Sequence, residues 1–572
     1  MNCCAFRSLL ATGLVFISLC GELVAQSPHV ARGIRGMVVS VSPPATEAGI
    51  KILQQKGNAA DAAIAVAFAL QVTWPEAGNI GGGGFMMVHP GPGKDPVCIE
   101  YRETAPAAST SDMFQLTETI FSAKAAGVPG TLRGLELAHQ RYGQLPWSEL
   151  VAPAIQLAEE GFSIDRGLAE SLNSILRKID AGSSSKAVPQ YAECQRLYQK
   201  SDRTPWVAGD RLVQPELAET LKQIAENGVD AFYSGPIAEL IVAEMGRSQG
   251  VISLQDLHDY RAVVREPVHI RYRDFDIHAP PLPSSGGYCL AEMLQVLERY
   301  HLRDQPRWSA TTVHLEIETM RRAFLDRALF LGDSDFVRVP EDLLTAAHAD
   351  QLAKSIDPDK ATPSTDLAPD LPIIDESPST THFSVMDGNG MAVSNTYTLE
   401  QSFGARVAVH GGGFLLNNEM GDFNWKAGHT DTRGRIGTKA NLIVPGKRML
   451  SSQTPVIVTR EGQVVLVTGS PGGRTIINTV LNVLLNVLEF EMELPQAVAE
   501  PRLHHAWLPD RVQIEKAVKQ TAPHLIAELQ KQGHHVVLVS RQGDAHSICR
   551  NPQTGALQGV ADSRRSGSAQ GF

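Results

Sequence analysis

A chain of 572 residues, 43% of them hydrophobic, is too long for one ordinary core, so two or more domains are expected. A net charge of -11 with no Lys/Arg block argues against nucleic acid as a partner. Cys3, Cys4 and Cys20 sit at the N-terminus, and Cys98, Cys194, Cys289 and Cys549 are spread too widely for a disulfide scaffold or a zinc pattern, which leaves buried free thiols as the expectation.

The first 25 residues read as an export signal. Arg7 is followed by the apolar run Leu9 to Leu19, and Leu23-Val24-Ala25 offers a cleavage site before Gln26. The run is too short for a membrane span, and Leu19 is large for the position before a lipid-modified Cys20. The mature protein is therefore expected to be periplasmic or secreted, without a lipid anchor or a transmembrane segment. Residues 45–71 predict two helices interrupted at Gly57-Asn58. Gly81 to Gly84 then lead into Phe85-Met86-Met87-Val88. Four glycines permit close backbone approach, but no Gly-Lys-Ser/Thr follows, and a strand stands where a phosphate-binding loop needs a helix. Residues 97–103 predict a strand ending at Arg102-Glu103, and 130–250 are mainly helical. A strand is expected over Arg271 to Ile277, a rigid turn over 280–287, and helices over 288–300, 310–333 and 340–355. Five prolines between Pro358 and Pro378 predict an extended, exposed linker. Beyond it the chain becomes β-rich, with an apolar helix at 475–489. No solenoid-type repeat appears.

Directly behind the linker, Phe383-Ser384-Val385-Met386 and Ala392 to Thr398 alternate around Asp387-Gly388-Asn389-Gly390, a strong hairpin signal. Centring the turn on Asn389 pairs residues whose numbers sum to 778. Thr380, His382, Ser384, Ser394, Thr396 and Thr398 then share one face, and Phe383, Val385, Val393 and Tyr397 share the other. This register sets Thr380 beside Thr398, within reach of a hydroxyl hydrogen bond. Paired threonines are also ordinary sheet residues. A threonine in this place can alternatively become a new chain terminus, with its hydroxyl as nucleophile and its freed α-amine as base.

Thr380-Thr381-His382-Phe383-Ser384-Val385, Thr396-Tyr397-Thr398-Leu399 and Leu415 to Phe423 closely resemble the γ-glutamyltranspeptidase family. So do Leu450-Ser451-Ser452, Thr468-Gly469-Ser470-Pro471-Gly472-Gly473, Tyr101-Arg102-Glu103-Thr104-Ala105-Pro106 and the run Gly78 to Gly84. The resemblance runs from about residue 30 to the C-terminus. It implies an α+β fold, the four-layer αββα sandwich of the N-terminal-nucleophile hydrolases, made by a precursor that cuts itself. The matching bond is Ser379–Thr380. After removal of residues 1–25 it would give a large subunit of 26–379 and a small catalytic subunit of 380–572, held together as a heterodimer.

The resemblance also implies roles. Thr380 is the expected nucleophile and Thr398 its supporting hydroxyl. Gly472 and Gly473 match the oxyanion hole at a helix start. Arg102 matches the clamp for the substrate α-carboxylate, helped by Ser451 and Ser452, and Glu400, Glu419 and Asp422 match the acids around its α-ammonium. The expected donors are glutathione or other γ-glutamyl compounds, and the acceptors are water, amino acids or peptides. No cofactor is required. The tandem pairs His504-His505 and His534-His535 have poor spacing for a metal, and none is expected. Residues 424–438 match a loop that covers the pocket in some members, with Arg433 near the place of a frequent aromatic residue. That suggests a more open pocket that favours hydrolysis. Two other readings are an acylase that cleaves glutaryl or other side-chain amides and a non-catalytic exported protein that binds glutamate. Three acids suited to an ammonium argue against a glutaryl group, and the intact threonine and glycine set argues against lost chemistry. No Gly-x-Ser-x-Gly motif supports a conventional serine hydrolase.

Overall fold

A computed structural model of the chain describes residues 28–182, 189–368, 380–431 and 436–572. The expected signal with its cleavage site, Cys20, Ser379, most of the second half of the linker and Arg433 lie outside the described residues.

The strands of the two large sheets are, in chain order, β1 (His29–Gly33), β2 (Gly36–Ser40), β3 (Gly83–His89), β4 (Val97–Glu100), β5 (Val263–Arg265), β6 (Val268–Tyr272) and β7 (Phe275–Ala279). They continue with β8 (Thr381–Asp387), β9 (Ala392–Thr398), β10 (Val456–Arg460), β11 (Gln463–Thr468), β12 (His546–Arg550), β13 (Leu557–Ala561) and β14 (Ser568–Gly571). One sheet runs β1-β13-β12-β11-β10-β7-β6 and the other β14-β2-β8-β9-β3-β4-β5. The helices that frame them are α1 (Pro43–Gln54), α2 (Ala59–Thr73), α3 (Gly286–Leu297), α4 (Ala310–Phe330), α5 (Ala346–Lys354) and α6 (Thr475–Leu484).

Strand alternation builds the layers. Phe383, Val385, Val393 and Tyr397 pack with α1 and α2, whereas Met386, Met37, Phe85 and Met87 meet Ile457, Val467 and Ile548 of the facing sheet. The far face of that sheet, through Ile270, Ile277, Val456 and Leu466, packs with α3, α4 and α6. The result is helix, sheet, sheet, helix, the αββα sandwich the resemblance implies. The polar face of the β8–β9 hairpin lies between the sheets and ties them together. Ser384 Oγ donates to the His546 carbonyl at 2.8 Å and Ser394 Oγ to the Thr468 carbonyl at 3.0 Å.

The β8–β9 register pairs Thr381 with Tyr397 and His382 with Thr396, as the sum of 778 requires. Asp387 holds the turn by accepting from the Asn389 and Met391 amides, and its second oxygen accepts from Ala59 N at the start of α2. The break at Gly57-Asn58 is a capping box, in which Asn58 and Asp61 satisfy each other's backbone amides. The four remaining cysteines are free.

Four expectations are corrected. The single strand over 271–277 is a hairpin, β6 and β7, because Arg273 takes a positive φ of 52° and reverses the chain. The strand before the Arg102 motif ends at Glu100, and the helix expected from 340 begins at Ala346. The first part of the linker is exposed at most positions, as expected, but not extended throughout: Ser364–Leu367 forms a helical turn, and buried Ser364 donates to the Trp507 carbonyl at 2.6 Å.

Candidate active site

The residues expected to carry chemistry meet at one cavity of about 200 Å³. Arg102, Thr380, Thr398, Glu400, Glu419, Asp422, Ser451, Ser452, Gly472 and Gly473 all line it. Thr380 immediately precedes β8 and is 8% exposed, so it sits at the wall of the cavity rather than in solvent. Thr398 closes β9, and its hydroxyl accepts from the Glu400 amide at 2.8 Å. That contact bends the chain out of the sheet, with Glu400 at φ 77°. Such a left-handed non-glycine residue is kept where surrounding structure enforces it.

Behind β4, Arg102 is 1% exposed and faces a cluster of acids. Its Nη1 lies 2.8 Å from Glu419 and 3.5 Å from Glu103, and its Nη2 pairs closely with Asp422. The Glu419 contact is close but out of line for a hydrogen bond, and neither Glu103 oxygen has a hydrogen-bond partner. Burial works against the charge on Arg102, but Glu419, Asp422 and Glu103 outweigh it and keep the guanidinium protonated. Burial pushes the Glu103 and Glu419 carboxyls up. Arg102 pulls each back, and the neighbouring acids push again. One cation facing three carboxyls cannot neutralise them all, so the cluster retains a proton and still presents surplus negative charge. That environment suits an added ammonium group.

Asn417 and Asn441 fix this wall. Asn417 donates to the Gly81 and Gly127 carbonyls, each at 2.8 Å, and accepts from Glu419 N. Asn441 holds the Asp422 carbonyl at 2.6 Å. Opposite, Ser451 is held between the Pro283 carbonyl and Ser285, and the Ser452 hydroxyl accepts from Arg327 at 3.0 Å. Gly472 and Gly473 join β11 to α6 with φ of 135° and 55°, a path glycine takes without strain. A Cβ on Gly472 would stand 2.4 Å from Thr475 Oγ1. The cavity thus combines a threonine hydroxyl, a glycine turn at a helix start, a buried guanidinium and an acidic floor, which can hold a zwitterionic acyl group beside a nucleophile.

Motif reading left Arg327, Gln453, Arg474, His504 and Arg511 of the lining without a role. Arg327 lies on α4, whose charged residues are buried nearly all round, so no amphipathic pattern marks it. His504 accepts from Asn478 at 2.7 Å, and burial, followed by His505 and Arg474, lowers it to about 3, so it is neutral. Of the loop over 424–438, Asn424, Ile436 and Thr438 reach the cavity.

Two antiparallel sheets between helical layers, with a threonine heading a central strand at a charged cavity, define an N-terminal-nucleophile hydrolase. The family model described as Gamma-glutamyltranspeptidase matches residues 45–572, and the chain belongs to that family. It is 40% identical over 544 residues to the glutathione hydrolase proenzyme of Escherichia coli, covering 94% of this chain and 91% of that protein. It is 42% identical over 509 residues to the glutathione hydrolase proenzyme of Pseudomonas aeruginosa, covering 87% and 88%. The crystal structure of cephalosporin acylase from Bacillus halodurans superposes with a TM-score of 0.85 at 25% identity, covering 98% of this chain and 99% of that one.

Proposed function

We propose that this protein is a γ-glutamyltransferase and glutathione hydrolase whose nucleophile is Thr380, freed by cleavage of the Ser379–Thr380 bond. The observation that carries this reading is convergence. Six separate segments deliver Arg102, Thr380, Thr398 with Glu400, Glu419 with Asp422, Ser451 with Ser452, and Gly472 with Gly473 to one cavity.

In maturation, the Thr380 hydroxyl attacks the Ser379 carbonyl, the acyl group moves from nitrogen to oxygen, and water hydrolyses the ester. The products are fragments 26–379 and 380–572, which remain a heterodimer. The description of both relatives as proenzymes agrees with this. In catalysis, Arg102, Ser451 and Ser452 hold the α-carboxylate of the γ-glutamyl group, and Glu400, Glu419 and Asp422 hold its ammonium. The Thr380 hydroxyl attacks the γ-amide carbonyl, and its proton passes to the Thr380 α-amine. The Gly472 and Gly473 amides take the developing oxyanion, a contribution of about 3 kcal/mol for such a donor. The leaving amine departs with a proton, and the γ-glutamyl ester passes to water or to an amino acid or peptide amine. An exported, periplasmic or secreted, location fits the N-terminal signal. Among the described residues no helix is long and apolar enough to cross a membrane.

Edman sequencing of the smaller purified fragment is expected to begin at Thr380, and Thr380→Ala to leave a single uncut chain. Two fragments from that variant would remove Thr380 from both roles. The likeness to the Bacillus halodurans acylase favours a second reading, a glutaryl-type acylase. A glutaryl group lacks the ammonium that the acidic floor suits, so a γ-glutamyl anilide is expected to be cleaved faster than a glutaryl anilide. The opposite preference overturns the substrate assignment.

A further inference from the structure

Away from the active-site cavity, three helices bring Glu292 of α3, Asp326 of α4 and His348 of α5 together. One ligand atom of each lies within 4.8 Å of the others. The Asp326 Oδ2 and His348 Nε2 atoms are 2.8 Å apart. Glu292 is 2% exposed, and neither of its carboxylate oxygens has a hydrogen-bond partner. A fully buried acid with no hydrogen-bond partner is rare and points to a ligand that would satisfy it.

A single divalent ion would satisfy Glu292 and Asp326 together, and the imidazole supplies a third ligand once Nε2 gives up its proton. His348 keeps 16% of its side chain exposed, which leaves a route from solvent. Two carboxylates and one imidazole suit Zn²⁺ or Mn²⁺, with water completing the shell.

We propose that Glu292, Asp326 and His348 form a binding site for one first-row divalent cation that clips α3, α4 and α5 together. Positions 292, 326 and 348 are too far apart in the chain to form a spacing motif, so no metal was legible in the sequence. Ligand atoms within 4.8 Å need only a small closure to reach bonds of roughly 2.0–2.2 Å. The ion would be structural and take no part in acyl transfer.

The test is calorimetric titration of untagged, chelator-stripped protein with ZnCl₂ and, separately, MnCl₂, paired with thermal melts. Wild type is expected to bind one ion per chain and to gain about 3 °C or more in Tm at saturation. Glu292→Gln, which keeps shape but removes the charge, is expected to lose that site and that gain. His348→Asn is expected to weaken binding by at least ~10-fold. Asp326→Asn provides an independent loss should Glu292→Gln fold poorly. The same stoichiometry and Tm response in wild type and in both carboxylate variants would overturn the proposal. So would failure of wild type to bind either ion with a Kd below about 100 µM.

Discussion

Glu103 shows how one residue can set a pH limit without touching substrate. It lies 3.5 Å from Arg102 Nη1, fully buried. Burial, opposed by Arg102, pushes it up to about 8. Below that pH it is neutral, and Arg102 is shared between Glu419 and Asp422. Above it, an added carboxylate competes for the same guanidinium, so KM for a γ-glutamyl anilide is expected to rise through pH 8 to 9. Glu103→Gln is expected to hold KM flat across that window while leaving KM at pH 7 within about 3-fold, since a neutral isostere changes the charge count only above the pKa. An unchanged alkaline limb in the variant would assign that limb elsewhere, for instance to the Thr380 amine.

At the scale of elements, the glycine run ahead of β3 is a spacing device. A Cβ on Gly82 would stand 2.0 Å from the Thr398 carbonyl oxygen, and one on Gly81 would stand 2.1 Å from that of Leu415. Gly82 O also accepts from Gly130 N and Thr131 N at the start of the helix Thr131–Tyr142. Gly82→Ala is therefore expected to displace the end of β9 with Thr398. Anilidase activity should fall about 100-fold, as for a misplacement of about 1 Å, with less cut protein on a denaturing gel. Activity near wild type would show that the strand yields at no cost. The close approach was readable from the glycines, and the β8–β9 register was readable from alternation around Asp387 to Gly390. Period and turn chemistry are local, so both survive in sequence. The β6–β7 hairpin was not readable, because its turn uses Arg273 rather than glycine or asparagine. Arg327 was hidden for a different reason: its partner Ser452 lies more than a hundred residues away, and α4 is polar yet buried. The direct pairing of Arg102 with Glu419 and Asp422 was also absent from a reading that assigned them to opposite ends of one ligand.

For the whole molecule, buried neutral histidines govern acid stability. Burial, followed by Arg321, holds His505 down to about 4. Burial, followed by His314, holds His534 to about 3. Burial, followed by His546, keeps His382 well below its usual range. The unfolded chain takes up these protons near pH 6.5 and the folded one does not. Stability is therefore complete above pH 6.5 and is lost as pH falls toward the folded values, by up to about 1.4 kcal/mol per unit for each group. Tm is expected to drop steadily between pH 6.5 and 4.5, and His505→Gln to flatten that slope. A Tm independent of pH over this range would refute the assignment. The order β14-β2-β8-β9-β3 has a consequence of another kind. Strands from after residue 380 flank β2 on both sides, and β9 is laddered to β3. With the proposed cut ahead of Thr380, neither half could leave without unzipping the middle of a sheet. In a cell carrying two defective alleles, one damaged in each half, sound halves would stay locked to their damaged siblings, and the alleles would fail to complement.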